Sequence, residues 1–321
     1  MKLKSISKIT LVLIIFFSHF QVQAINTKPV DIVIFSYDRP IQLYALLESI
    51  EQNITPKDSY NLHILVRASN EDFIKGYQLV SHRFPSAKYF YESNNAIQGK
   101  LPKFINNLNL ISMPLEKLFY DATFNTSISQ SPYVIFAVDD IIVTDRINLK
   151  KDIETFEKQQ AYTLSYRLGL NIKETWTINK VTTIPEFDKI QSNMIQWNFD
   201  QDKEGDWNYP NSFDFHLYRK SDIVMNLKMP KSRWRNPNTM ESTWANRTIA
   251  NTRAIAHRKS KIINIPANDV SENAMRSIQG LDTGTLLKIF LAGYKIKSEQ
   301  FQGHTSKAAH EEIKYTFIER T

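Results

Sequence analysis

The sequence predicts an α/β fold: a mostly parallel sheet flanked by helices, with a less regular C-terminal half. Three observations predict it. Apolar, strand-like runs alternate with helix-periodic segments as β-α-β-α-β-α-β up to residue 145. One of those runs, Tyr133–Val138, is apolar without a break, as a strand buried on both faces requires. That run ends in two adjacent carboxylates, Asp139 and Asp140, at the strand end where open α/β sheets hold their ligands.

The elements follow in order. Asp31–Tyr37 is the first buried strand. Pro40 suits the first position of a helix, and Ile41–Ile50 places apolar residues at helical spacing. Leu62–Val66 is a second strand, and Ser69-Asn70 caps a helix through about His82. Lys88–Tyr91 is a short third strand, residues 94–110 a polar loop with some helix, and Pro114–Phe124 a helix entering the Tyr133 strand. Beyond Asp145 the pattern loosens: a helix at Ile147–Gln160, a strand at Ala161–Leu168, and short strands and turns over residues 171–215. A helix starting in Asn236-Pro237-Asn238-Thr239 runs to about Asn251. Lys261–Ile265 is a strand, Thr285–Ala292 a helix closed by Gly293, and Ile313–Ile318 a last strand.

Composition narrows the function. With 321 residues, 42% hydrophobic and 23% charged, the chain is globular. It has no cysteine, which excludes disulfides, thiolate metal sites and thiol nucleophiles. Its 8 glycines form neither G-x-G-x-x-G nor G-x-x-x-x-G-K-[ST], so the commonest glycine-built phosphate cradles are missing. Lys2, Lys4 and Lys8 precede the apolar run Leu11–Phe17, and Val22-Gln23-Ala24 has the small-residue pattern of a cleavage site. Residues 1–24 thus read as a signal peptide or membrane tether, and the protein as exported (secreted, periplasmic or lumenal) or anchored through that segment. The remainder, residues 25–321, is expected to be one domain with a nucleotide-binding half (25–145) and an acceptor half (146–321). No dense Lys/Arg block occurs, which disfavours nucleic acid as a partner.

Asp139 and Asp140 would repel each other unless something positive joins them. A hard divalent cation, Mn²⁺ or Mg²⁺, prefers carboxylate oxygens and keeps positions open for substrate phosphates. A solvated strand exit with two acids is the alternative.

Two stretches resemble GT-A-fold glycosyltransferases of the family-2-like and exostosin-like kind. Ser36-Tyr37-Asp38-Arg39-Pro40-Ile41-Gln42-Leu43, with Leu46-Leu47-Glu48-Ser49-Ile50, resembles their opening strand and first helix. Val138-Asp139-Asp140 resembles their acidic metal motif, although it is a pair where D-x-D is usual. The second strand ends in Arg67, where many relatives carry an aspartate near the base. The resemblance implies metal-dependent transfer of a sugar from a nucleotide-diphosphate donor to a glycan or other hydroxyl acceptor. Tyr37, Arg39, Arg67, Lys103 and Asp139 would then meet the nucleotide. Asp139 and Asp140, with His310 as the late histidine of such folds (His304 being the other one available), would meet the metal.

An inverting transfer needs a general base. Glu241, in the first turn of a helix, is the first candidate and Asp214, flanked by Phe213 and Phe215, the second. Glu241 has another reading, because its spacing from Asn238 is that of a capping box. All five tryptophans fall between residues 176 and 244; Trp207 and Trp234 are candidates for an acceptor groove, and core packing is the other use of such residues. A secreted carbohydrate-binding protein with this fold and no turnover is the alternative function. A nucleotidyltransferase ranks lower, because the Ser36–Pro40 turn has no glycine.

Overall fold

The computed structural model describes residues 28–92, 114–200, 203–227, 236–268 and 281–320. The leader at 1–24, Lys103 and Trp234 lie outside these. Among the described residues, no helix is long and apolar enough to cross a membrane.

Nine strands form the central sheet. In chain order they are β1 (Val30–Tyr37), β2 (Tyr60–Arg67), β3 (Lys88–Tyr91), β4 (Tyr133–Val138), β5 (Thr163–Ser165), β6 (Asp188–Ile190), β7 (Met194–Asn198), β8 (His216–Arg219) and β9 (Arg253–His257). Their spatial order is β6-β7-β9-β5-β8-β4-β1-β2-β3. β1 pairs in parallel with both β2 and β4, and β3 continues parallel to β2. β8 is antiparallel to β4 and β5, β9 is parallel to β5, β7 antiparallel to β9, and β6 antiparallel to β7. Only β7 and β8 therefore run against the rest, and the sheet is mostly parallel, as the sequence predicts.

Alternation along β1 splits the core. Val30, Ile32 and Ile34 enter one cluster with α1 (Pro40–Asn53) and α2 (Glu71–Arg83). Val33 and Phe35 enter the other, with α3 (Leu115–Phe124). The sheet is thus covered on both faces, which is why its inner strands read as continuous apolar runs. The α4 helix (Leu149–Lys158) packs on the first face through Leu149 and Phe156, and α5 (Lys220–Leu227) and α6 (Pro237–Ala245) pack on the second. The α7 helix (Thr283–Leu291) returns to α1 and α2 on the first face. Local signals explain several boundaries. Asn70 caps α2 by accepting from the Asp72 and Phe73 amides at 3.0 and 3.2 Å. Asn70→Ala should lower the unfolding free energy by about 1 kcal/mol with an unchanged urea m-value; equal urea midpoints for variant and parent would show that this cap is redundant.

Some expectations shift. The helix after Asn236 ends at Ala245, not near Asn251, and the chain then enters β9, which lies between β5 and β7. Ala161–Leu168 contributes only Thr163–Ser165 as strand, and the helix expected from Ile147 starts at Leu149. β8 was not expected, because His216 and Tyr218 make it look polar. Their polar tips are satisfied inside the fold: His216 Nε2 lies 2.9 Å from Ser165 Oγ, and Tyr218 donates to the Pro210 carbonyl at 2.7 Å.

β2 and β3 lie on one side of β1 and β4 on the other. The strand order thus reverses at β1, and the crevice beyond the carboxyl ends of β1 and β4 is the place where such sheets bind ligands.

Candidate active site

A cavity of about 910 Å³ opens at that crevice. β1 delivers Tyr37 and Arg39, β2 delivers Arg67, and β4 delivers Asp139 and Asp140. The turn into β8 supplies Asp214, the chain leaving β5 supplies Arg167, and α6 supplies Glu241. Asp38 (φ 54°), between Tyr37 and Arg39, and Phe215 (φ 60°), next to Asp214, have left-handed backbone. Asp38 tolerates it, since its Oδ1 accepts the Ser69 amide at 2.8 Å. A bulky aromatic residue there is strained, and Phe215 is held by its amide bond to the Phe136 carbonyl at 2.8 Å.

The acidic pair is joined by a side chain. Arg39 Nη1 lies 3.1 Å from Asp139 Oδ1 and 3.1 Å from Asp140 Oδ2. Its other nitrogens donate to Asn268, Nε to Oδ1 at 2.8 Å and Nη2 to the carbonyl. Asp139 Oδ2 accepts from Ser36 Oγ at 2.8 Å and from the Tyr37 amide at 3.3 Å. Asp139 is therefore fully engaged. Asp140 differs: its Oδ1 is buried and has no hydrogen-bond partner among the described residues. Burial, the Asp139 charge and the Asp214 charge push the Asp140 carboxyl up to about 6 against the pull of Arg39.

On the expected metal set of Asp139, Asp140 and His310, the geometry separates the three. Both Asp139 oxygens already have partners. Asp140 Oδ1 is free, and His310 lines the same cavity, with Nε2 3.5 Å from Asp214 Oδ2 and its ring stacked on Trp176 at 5.9 Å. The backbone puts His310 there, because the Asn264 amide donates to the Ala309 carbonyl at 3.1 Å and the Glu311 amide donates to the Asn264 carbonyl at 3.0 Å, which ties the C-terminal chain to the core. Among the described residues, no group of three or more His, Cys, Asp or Glu side chains is placed to hold a metal ion. A lone free carboxylate oxygen does suit a cation held largely by substrate phosphates and water. His304 instead pairs with Glu311 at 3.0 Å, away from the cavity.

A second charged cluster lines the same cavity. Arg167, only 3% exposed, contacts Asp214 Oδ2 at 2.8 Å and Asp206 Oδ1 at 3.0 Å. Burial works to raise the Asp214 pKa, but His310 and Arg167 outweigh it and hold the carboxyl below its usual range. Glu241 is the reverse case. Burial first, and the Asp214 charge second, push it up to about 7, although its Oε1 accepts the Phe213 amide at 2.6 Å. Two neighbouring acids with pKa values driven apart is the pattern that divides acid–base roles. The capping reading of Glu241 does not apply: the capping box is made by Asn236 and Thr239.

The other expected site residues fall as follows. Tyr37 and Arg67 line the cavity, with the Arg67 guanidinium 4.6 Å from the centre of the Tyr37 ring. Trp207 is 2% exposed and packs edge-on against Trp197 at 4.9 Å, in the core beneath the site. The short helical turn Asp206–Asn208 presents Asp206 and Asn208 to the cavity and turns the tryptophan inward. Among the described residues, the tryptophan at the cavity wall is Trp176. Arg167, Asp206 and Trp176 escape sequence reading, because nothing in their local spacing marks them; tertiary packing alone brings them to Glu241.

No family model matches the chain. Over 206 residues, 60% of the chain, it is 29% identical to the bifunctional glycosyltransferase pgtA of Dictyostelium discoideum. The match covers 24% of that protein, so the chain spans about a quarter of the curated relative it resembles. Among solved structures, it is similar to S. aureus TarS 1-349 at 11% identity and a TM-score of 0.42, covering 71% of this chain and 60% of that one. It is also similar to TarS 1-349 in complex with UDP-GlcNAc, at 11% identity and a TM-score of 0.40, over 85% and 69% of the two chains. The mannosyltransferase PcManGT from Pyrobaculum calidifontis, in complex with GDP-Man and Mn²⁺, matches at 10% identity and a TM-score of 0.38, over 71% and 54%.

Proposed function

We propose that this protein is a glycosyltransferase that moves a sugar from a nucleotide-diphosphate donor to a hydroxyl of a carbohydrate acceptor. The observation that supports it most is the meeting, in one cavity at the reversal point of the sheet, of the Asp139–Asp140 strand end with Glu241, an acid poised near neutrality. The partial sequence similarity to a glycosyltransferase agrees with it.

The acceptor oxygen forms a bond to the anomeric carbon. The bond from that carbon to the diphosphate oxygen breaks, and its electron pair leaves with the phosphate. The acceptor proton passes to the Glu241 carboxylate, which is ionised in about half of the molecules near pH 7. Arg39, paired with Asp139 and Asp140 and bonded to Asn268, holds the acidic strand end in place. Asp140, through its free Oδ1, with His310 beside it, would hold a divalent cation; bound there, that ion would neutralise phosphate charge. A leader at residues 1–24 would put this activity in a lumenal or extracytosolic compartment, or on a membrane.

One observation favours a second reading, sugar binding without turnover: Arg39 already stands between the two acids and offsets one of their charges. A panel of UDP-, GDP- and CDP-sugars, with and without Mn²⁺, separates the two. The enzyme reading expects turnover of one donor, and a thermal shift by its nucleotide that Asp140→Asn weakens. Glycan binding with every donor inert would establish the second reading.

A further inference from the structure

We propose that Asp206 and Thr175 form a subsite that recognises a second hydroxyl of the acceptor sugar, next to the hydroxyl handled by Glu241; this rests on the glycosyltransferase reading above. Both residues line the cavity, at 7% and 4% exposure. Asp206 Oδ1 is held by Arg167, while its Oδ2 is buried with no hydrogen-bond partner among the described residues. Thr175 Oγ1 is likewise buried and unpartnered. The two are neighbours across Gly205: a Cβ on that glycine would stand 3.6 Å from Thr175 Oγ1.

Buried polar atoms are rarely left unpaired in native proteins, and two of them in the wall of one cavity call for a ligand that completes them. The chemistry of that ligand is constrained. Asp206 shares Arg167 with Asp214 and is paired through Oδ1 alone, so its Oδ2 remains a carboxylate acceptor, which suits an O–H donor. Asp206 Oδ2 can only accept, while the Thr175 hydroxyl can accept or donate. A sugar diol, each hydroxyl both donor and acceptor, satisfies both. Trp176, the residue after Thr175, adds an aromatic wall for the C–H face of the ring. Arg167 links Asp206 to Asp214, and its charge is felt at Glu241, which places this subsite at the base's end of the cavity.

The test uses the full chain and a panel of methyl hexopyranosides, with binding read by saturation-transfer NMR. In parallel, hydrolysis of the nucleotide-sugar panel is measured without acceptor. Thr175→Val keeps shape and leaves Arg167 untouched, so it isolates the hydroxyl; Asp206→Asn removes the free carboxylate. The expected result is glycoside binding weakened about tenfold or more in each variant, with donor hydrolysis and its pH profile unchanged in Thr175→Val. Equal binding in parent and variants, or no binding of any glycoside by the parent, overturns the subsite. So does a shifted pH profile in Asp206→Asn with glycoside binding intact, which would make Asp206 a positioning partner of Arg167 only. Asp206-dependent glycoside binding by a protein that turns over no donor would support the subsite while overturning the catalytic reading.

Discussion

Glu241→Gln should lower turnover by about 10²–10⁴-fold, the usual contribution of a general base. The amide retains an oxygen to accept the Phe213 amide and removes a charge that burial disfavours, so the fold should hold and the thermal midpoint should not fall. Under the proposed function nucleotide binding should be unchanged, because the residues assigned to the nucleotide and its cation, Tyr37, Arg67 and Asp140 among them, are others. The pH dependence has a definite sign. Glu241 has its pKa raised to about 7, so below that pH it is protonated and cannot take a proton. Activity should therefore fall about tenfold per pH unit below pH 7 and level off above it. The same shift acts on stability: between its ordinary pKa and about 7 the folded protein binds the extra proton, so this group's contribution declines as pH rises through that window. Steady-state kcat/KM profiles of parent and variant check the assignment. A variant with more than a tenth of parental activity would remove Glu241 from the base role. Asp214 would make a poor substitute, because Arg167 and His310 keep it ionised and its Oδ2 is already taken.

The second large effect concerns stability. Arg39→Met should lower the unfolding free energy by about 3–5 kcal/mol near neutral pH, because it leaves two buried carboxylates without their shared cation. Asp139 and Asp140 already sit above their usual pKa through burial, and without Arg39 both rise further. Folded-state pKa values above the unfolded ones mean that stability is lost as pH rises, so the deficit should shrink as the pH falls toward about 5 and the pair takes up protons. Urea denaturation at both pH values measures this. A deficit below about 1 kcal/mol, or one independent of pH, would show that the clamp contributes no more than an exposed ion pair.

The legibility of the chain follows the range of the forces involved. The β1-to-β4 half was readable: strand runs, the Pro40 helix start and the Asn70 cap are local devices, and each lies within a residue or two of where the spacing puts it. β8 and β9 were not, because their residues become strand by pairing with distant neighbours, as His216 does opposite Phe136. At the site the same division holds. A positive partner for the acidic pair was foreseeable from like-charge repulsion alone. That Arg39 can supply it was not, since the two lie a hundred positions apart and meet only because β1 and β4 are adjacent.

By itself, the sequence determined the alternation that makes a mostly parallel sheet, the acids at the end of its central strand, and the residue types available for transfer chemistry. Tertiary structure alone decided how those acids are used. Asp139 is consumed by Arg39, Ser36 and Tyr37, Asp140 keeps one oxygen free, Asp214 is locked by Arg167, and Glu241 stays proton-bearing up to about pH 7. The reason is physical: a carboxylate's role depends on its burial and on the charges within a few ångströms of it, and neither is a property of the neighbouring residues in the chain.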